Sequence, residues 1–284
     1  MKLFFSRFSM KNNIAIPDFF ILGAQKSGTT ALFEYLSMHP QIIPNAIKEI
    51  HFFDSERRYS EGFDFYLSQF AKKGEGQLVF DASAGYLHYP DAPKRIYKWN
   101  KSARMIALLR DPADRAYSAW NMYKKFYAMD REWYLNGWLS MHGQRNGVEV
   151  VRRSDQAIED FFVCLQEEID LEKKHNGKVV FEAPILSHGK YAEQLERYYS
   201  FFAKDQVLVL ESDSFKRDIP GGMQEIEEFL GIGHHDWGSC GLRFVHEGGY
   251  AEPMHDNARV LLKQYYEKLN QSLYALLGRD FGWA

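Results

Sequence analysis

The chain has 284 residues, 45 % of them hydrophobic and 16 % aromatic, enough to bury a substantial core in one large α/β domain and to exclude long disorder away from the N-terminus. A formal net charge of −3 and a pI near 6.4 exclude an overall positive field able to hold nucleic acid, so any anion is bound locally. Two cysteines, Cys164 and Cys240, exclude a disulfide scaffold and fit a reducing compartment.

Residues 1–8 are basic and aromatic, but their apolar run is too short for a signal h-region or a transmembrane segment. A cytoplasmic protein with an N-terminal extension over 1–16 is therefore expected. The first hydrophobic run, Asp18-Phe19-Phe20-Ile21-Leu22, reads as a strand covered on both faces of a parallel sheet. It leads into Gly23-Ala24-Gln25-Lys26-Ser27-Gly28-Thr29-Thr30, after which Leu32, Phe33, Tyr35 and Leu36 predict a helix ended by His39-Pro40. In such a strand–loop–helix unit, backbone N–H groups and the positive helix end converge on a phosphate.

The spacing of Gly23 and Gly28 is that of a P-loop, but the lysine is displaced. A nucleoside triphosphatase places lysine and a magnesium-binding hydroxyl directly after the second glycine. Here Thr29-Thr30 follow Gly28, and Lys26 lies inside the loop. That arrangement keeps a cation over an anhydride oxygen and removes the usual metal ligands, so metal-free transfer of an activated group is expected.

The segment Lys48-Glu49-Ile50-His51-Phe52-Phe53-Asp54 comes next. In extended backbone Glu49 and His51 project to the same side, and with Asp54 they are the candidate proton acceptors. Further strands are predicted over 78–81, 104–109 and 206–210, and helices over 91–99, 112–127, 155–175, 189–203, 221–230 and 256–277. The alternation predicts an α/β fold with a central parallel sheet flanked by helices and right-handed crossovers. Residues 119–188 form a predicted helical cap at the carboxyl edge of the sheet.

The strand ending at Leu109 runs into Arg110-Asp111-Pro112-Ala113-Asp114-Arg115-Ala116-Tyr117-Ser118. Asp111 suits a helix cap and Pro112 a first turn, while Arg110 points to the same sheet edge as the first loop. Arg110 with Ser118 is a reasonable grip for a second phosphate, and two anion sites imply a bis-phosphorylated nucleotide. The plainer alternative is an ion pair between Arg110 and Asp114.

The segments 20–32, 48–54 and 109–118 resemble the sulfotransferase superfamily, specifically the branch of heparan sulfate sulfotransferases and their bacterial relatives. Gly189-Lys190-Tyr191 with Leu195, and Leu277-Gly278-Arg279-Asp280-Phe281-Gly282-Trp283, add weaker support. The resemblance implies a P-loop-like sulfotransferase fold in a single domain over 1–284. It also implies 3′-phosphoadenosine 5′-phosphosulfate (PAPS) as donor, adenosine 3′,5′-bisphosphate as product, and no metal. Gln25, Lys26, Ser27, Gly28, Thr29 and Thr30 would bind the 5′-phosphosulfate, Lys26 also stabilising the leaving phosphate, and Arg110 and Ser118 the 3′-phosphate. Glu49 matches the base of the heparan sulfate branch, whereas a histidine has that task in the small-molecule branch. Glu49 is favoured, with His51 supporting or replacing it.

Two positions depart from the pattern. Ala82 stands where many relatives carry lysine, and Gly248-Gly249-Tyr250 where they carry a Lys-Gly-Arg loop, leaving Arg243, His246 or Tyr250 to cover the donor. The lack of basic surplus favours a small-molecule acceptor, and the resemblance implies transfer to its hydroxyl or, secondarily, an amine. Asp54, Tyr86, Tyr123 and Tyr191 are its candidate contacts. A glycan O-sulfotransferase would show a basic groove, and a P-loop small-molecule kinase a lysine beside Gly28. The oligomeric state stays open.

Overall fold

The computed structural model describes residues 16–45, 47–142, 149–175, 179–240 and 252–283, so the expected N-terminal extension lies outside it except for Ile16. Seven strands occur among the described residues: β1 (Phe19–Gly23), β2 (Ile42–Ile43), β3 (Leu78–Ala82), β4 (Arg104–Leu109), β5 (Glu149–Val151), β6 (Val179–Phe181) and β7 (Val207–Glu211). Five of them form a parallel sheet in the order β2-β3-β1-β4-β7. Every residue of β1 is buried, as a continuous apolar run covered on both faces requires. The four strands read from the sequence are all present. The two-residue β2 is too short to leave a hydrophobic run, and β5 and β6 pair with each other, parallel, outside the main sheet.

The helices are α1 (Thr29–Met38), α2 (Glu56–Ser60), α3 (Phe63–Leu67), α4 (Ala92–Trp99), α5 (Pro112–His142) and α6 (Asp155–Glu159). They continue with α7 (Phe161–His175), α8 (Tyr191–Tyr199), α9 (Ser212–Arg217), α10 (Ile219–Leu230) and α11 (Asp256–Leu277). Three predicted helices differ in extent, and the one expected over 189–203 spans only Tyr191–Tyr199. The helix expected over 112–127 continues to His142 through an extended residue at Asp130 (φ −165°, ψ 97°), whose carboxylate accepts the Trp133 N–H (2.9 Å) and restarts the helix. The helix expected over 155–175 is broken at Asp160, because its carboxylate caps α7 by accepting from Phe162 and Val163 N–H.

The chain groups into two compact units. The first comprises the described residues of Met1–Asp54, Arg58–Leu109 and Arg197–His246 and contains the parallel sheet. Its core joins Phe19, Ile21 and Phe80 of the sheet to Leu32, Tyr35 and Leu36 of α1 and to Met223 and Ile226 of α10. Phe19 and Phe80 stack with centroids 5.0 Å apart. The strand order reverses at β1 and β4, since the chain after β1 builds towards β3 and β2 while the chain after β4 returns at β7. Loops at the carboxyl ends of strands beside such a reversal are where α/β sheets bind ligands, and the loop after β1 is one of these.

The second unit comprises the described residues of Ser55–Arg57, Arg110–Glu196 and Glu247–Ala284. Its core is helical, joining Tyr117, Trp120 and Tyr123 of α5 to Phe161 and Leu165 of α7 and to Leu262 and Tyr266 of α11.

Candidate active site

The loop after β1 is held by backbone. The Ala24 N–H donates to the Leu108 carbonyl (2.8 Å), and the Ser27 N–H to that of Ala24 (3.1 Å). From the end of β7, the Ser212 hydroxyl donates to the Ser27 carbonyl (2.8 Å). Gly23 is obligatory: its φ is 142°, and a Cβ there would stand 2.7 Å from the Ala84 carbonyl oxygen. Lys26 sits in the left-handed region at φ 71° and Gly28 at φ 99°. Gly28 is also the N-cap of α1, which therefore has no side-chain cap. First-turn N–H groups without such a cap are an anion site, and the Ser27 hydroxyl is buried with no hydrogen-bond partner among the described residues. These features fit a bound phosphate.

A second loop backs the first. After β3 the chain runs through Ser83, Ala84 and Gly85, pinned to β1 by Ser83 N–H to the Ile21 carbonyl (3.3 Å) and Leu87 N–H to the Leu22 carbonyl (2.8 Å). The same turn seats the candidate bases. The Glu49 N–H donates to the Ala82 carbonyl (2.9 Å), the Ala84 N–H donates to Glu49 Oε2 (2.9 Å), and the His51 N–H donates to Ser83 Oγ (3.1 Å). Lys48 Nζ closes on Glu49 Oε1. His51 stands between two carboxylates, with Nδ1 2.9 Å from Asp54 Oδ2 and Nε2 3.5 Å from Glu49 Oε2. Glu49, His51 and Asp54 are thus brought together, although not by the extended backbone expected, since Glu49 and His51 both have positive φ and are held by the turn over 82–84.

Burial acts to lower the His51 pKa, but the hydrogen-bonded Asp54 carboxylate, reinforced by Glu49 and Asp81, outweighs it and raises the value to about 9. His51 is consequently an imidazolium at neutral pH. Glu49 and His51 have φ values of 63° and 55°. With Lys26 they make three of the four non-glycine residues in the left-handed region among the described residues, the other being Ala183. Such backbone costs roughly 1–2 kcal/mol per residue and concentrates at functional sites.

Asp54 is fully buried. Gly85 makes room for it, since a Cβ there would fall 1.9 Å from Asp54 Oδ2. Tyr86 is also fully buried. Its hydroxyl donates to Asp81 Oδ2 (2.6 Å), as does that of Tyr66 (2.9 Å). Burial lifts the Asp81 carboxyl to about 6, against the two tyrosine hydrogen bonds that lower it. Sequence reasoning gave no role to Asp81, Ser83, the Ala84 N–H or Gly85. The run of small residues in Asp81-Ala82-Ser83-Ala84-Gly85 was the available signal.

In the second unit, Arg110 opens the approach to α5. The Asp111 carboxylate caps that helix, accepting from Ala113 (2.7 Å) and Asp114 (3.4 Å) N–H, and burial raises its pKa. Asp114 pairs with Arg259 (3.1 Å). Ser118 is buried on α5. The Tyr191 hydroxyl donates to the Arg110 carbonyl (2.9 Å), so Tyr191 fixes the backbone that carries Arg110. Tyr123 lies in the helical core. Arg243, His246 and Tyr250 lie outside the described residues, and no described helix is long and apolar enough to cross a membrane.

The sulfotransferase domain family model matches residues 16–236. The chain is 24 % identical to the membrane-associated sulfotransferase kil1 of Dictyostelium discoideum over 95 % of its own length and 67 % of that protein. It is 28 % identical to the bifunctional heparan sulfate N-deacetylase/N-sulfotransferase 4 of Mus musculus over 93 % of its own length, but spans only 30 % of that longer protein. A crystal structure of a sulfotransferase from Alicyclobacillus acidocaldarius superposes with a TM-score of 0.66 at 26 % identity, covering 95 % of this chain and 99 % of that one. The loop after β1 and the carboxylate–histidine cluster thus occur on a matching fold within a matched sequence, and the chain belongs to the sulfotransferase domain family, in the superfamily that depends on PAPS.

Proposed function

We propose that this chain transfers the sulfuryl group of PAPS to a hydroxyl group of a small-molecule acceptor. The observation that carries the reading is the uncapped, backbone-lined loop at Lys26 braced by the same Ser83-Ala84-Gly85 turn that seats Glu49. The donor supplies an already activated sulfuryl group on a phosphate leaving group. Loop N–H groups and the side chains of Ser27, Thr29 and Thr30 bind the 5′-phosphosulfate, and Lys26 offsets charge on the departing phosphate oxygen. Arg110 and Ser118 hold the 3′-phosphate.

Glu49 removes the proton from the acceptor hydroxyl as its oxygen attacks sulfur and the bond from sulfur to the phosphate oxygen breaks. His51, already protonated, orients the Glu49 carboxylate instead of competing as the base. The base therefore works from a position fixed on three sides, by Lys48, by the Ala84 N–H and by the imidazolium.

A second reading, a glycan acceptor, is favoured by the heparan sulfate relatives. Calorimetry without added metal tests the donor assignment. Adenosine 3′,5′-bisphosphate should bind more tightly than ATP, whereas preference for ATP or an absolute magnesium requirement would overturn the assignment. Turnover of simple alcohols and phenols, compared with desulfated heparan oligosaccharides, separates the two acceptor readings.

A further inference from the structure

Asp81 is the penultimate residue of β3, has no exposed surface and takes no part in the chemistry proposed above. A carboxylate taken out of water is costly unless hydrogen bonds replace the water. Its Oδ2 accepts from two hydroxyls of residues buried with it, Tyr66 of α3 (2.9 Å) and Tyr86 (2.6 Å), and the buried Ser83 hydroxyl donates to Oδ1 over a longer 3.5 Å. Above the value of about 6 to which burial lifts it, the carboxyl is ionised. An ionised carboxylate only accepts, so each hydroxyl directed at it must donate.

That requirement fixes the polarity on the far side of two of these hydroxyls. A hydroxyl has one hydrogen, and once Asp81 takes it the oxygen can only accept. The Tyr86 oxygen accepts the Phe52 N–H (3.3 Å), and the Ser83 oxygen accepts the His51 N–H (3.1 Å). With the Glu49 N–H on the Ala82 carbonyl (2.9 Å), three N–H groups of the segment 49–52 are held by residues 82–86. These bonds oppose the strain of positive φ at Glu49 and His51. Phe52 is buried, where an N–H without an acceptor is costly. The Tyr66 hydroxyl, by contrast, reaches only Asp81 among the described residues.

We infer that Asp81 is a positioning residue for the proposed reaction: by taking the hydroxyl hydrogens of Tyr86 and Ser83 it leaves their oxygens to hold the backbone of His51 and Phe52, and so keeps Glu49 and His51 poised. This rests on the assignment of Glu49 as the base. Asp81 acts through the two hydroxyls and touches no reacting atom, so its contribution appears in kcat and not in donor affinity.

The two tyrosines separate this role from plain packing, because both donate to the same carboxylate oxygen but only the Tyr86 oxygen continues to the segment that carries the bases. Tyr66→Phe and Tyr86→Phe each remove one hydroxyl and keep the ring. Tyr86 is fully buried, so its loss acts through that segment and not through contact with an acceptor. Tyr86→Phe should lower kcat on the order of tenfold, the equivalent of one hydrogen bond, with the affinity for adenosine 3′,5′-bisphosphate unchanged by calorimetry. Tyr66→Phe should keep its kcat. Amide hydrogen exchange should quicken at Phe52, relative to the amides of β1, in Tyr86→Phe and not in Tyr66→Phe. Equal effects of the two substitutions on kcat and exchange would overturn the inference, since a packing role follows the bond to Asp81 that they share, and so would a Tyr86→Phe variant with both unchanged. If Tyr86→Phe does not fold, Asp81→Asn decides. Its amide N–H can meet a hydroxyl oxygen and reverse that hydroxyl, so exchange at His51 and Phe52 should quicken and kcat fall while bisphosphate affinity holds; wild-type behaviour would count against Asp81. A wild type that transfers no sulfuryl group from PAPS would instead overturn the proposed function, and the exchange pattern by itself then decides the hydroxyl network.

Discussion

In the proposed donor site the loop after β1 would hold charge with backbone, whereas the start of α5 would hold it with side chains. Around Lys26, successive N–H groups, an uncapped helix and residues of positive φ are arranged by the sheet. Around Arg110, one guanidinium is fixed through its own carbonyl by Tyr191, and another, Arg115, is buried one turn into the helix. Backbone dipoles are rigid and need no reorganisation as charge develops, which suits a leaving group. Guanidinium groups bind phosphate with paired hydrogen bonds, which suits recognition of a group that does not react. Under the proposed function, the difference suits the first region to chemistry and the second to grip.

The largest effect expected from this contrast is at the base beside the first loop. Glu49→Gln should lower kcat by about 10²–10⁴-fold with donor affinity little changed. A variant that kept its turnover while His51→Asn lost it would move the base to His51. A somewhat smaller effect separates the two regions directly. Lys26→Ala should lower kcat by roughly 10²–10³-fold, and Arg110→Ala should raise the donor KM with kcat nearly intact. Steady-state kinetics on both variants checks this, and an Arg110→Ala defect in kcat alone would break the comparison.

The smallest effect concerns stability. His51 has a folded pKa of about 9, above the ordinary value of about 6.5. Its contribution to stability is therefore fully present below about pH 6.5 and is lost as pH rises through about 9. Between about pH 6 and about pH 9.5, the urea midpoint of wild type should fall further than that of His51→Asn. Equal falls would mean that His51 is not held as an imidazolium.

Much of the fold and of the site was legible in the sequence because it is local. Continuous apolar runs identified β1, β3, β4 and β7, and the Gly23 to Gly28 spacing identified the loop between β1 and α1 from residue types alone. Glu49, His51 and Asp54 stood within one short segment, so they could be named together as candidates, although the turn after β3 is what seats them. The interruptions at Asp130 and Asp160 were missed because hydrophobic periodicity continues across them, and only the capping bonds reveal the break.

What the sequence by itself determined was the class of fold, the glycine-bounded loop between β1 and α1 and the set of candidate bases, since each follows from residue types at short spacing. Tertiary structure alone decided how those groups are poised. Ala84 reaches Glu49 across 35 residues of sequence, Gly85 leaves room for Asp54, and Asp54 turns His51 into a cation. It also buried Arg115, whose guanidinium donates to the Ile185 carbonyl. Proton affinities and buried charges depend on desolvation and on neighbours brought in by folding, and neither is written in local spacing.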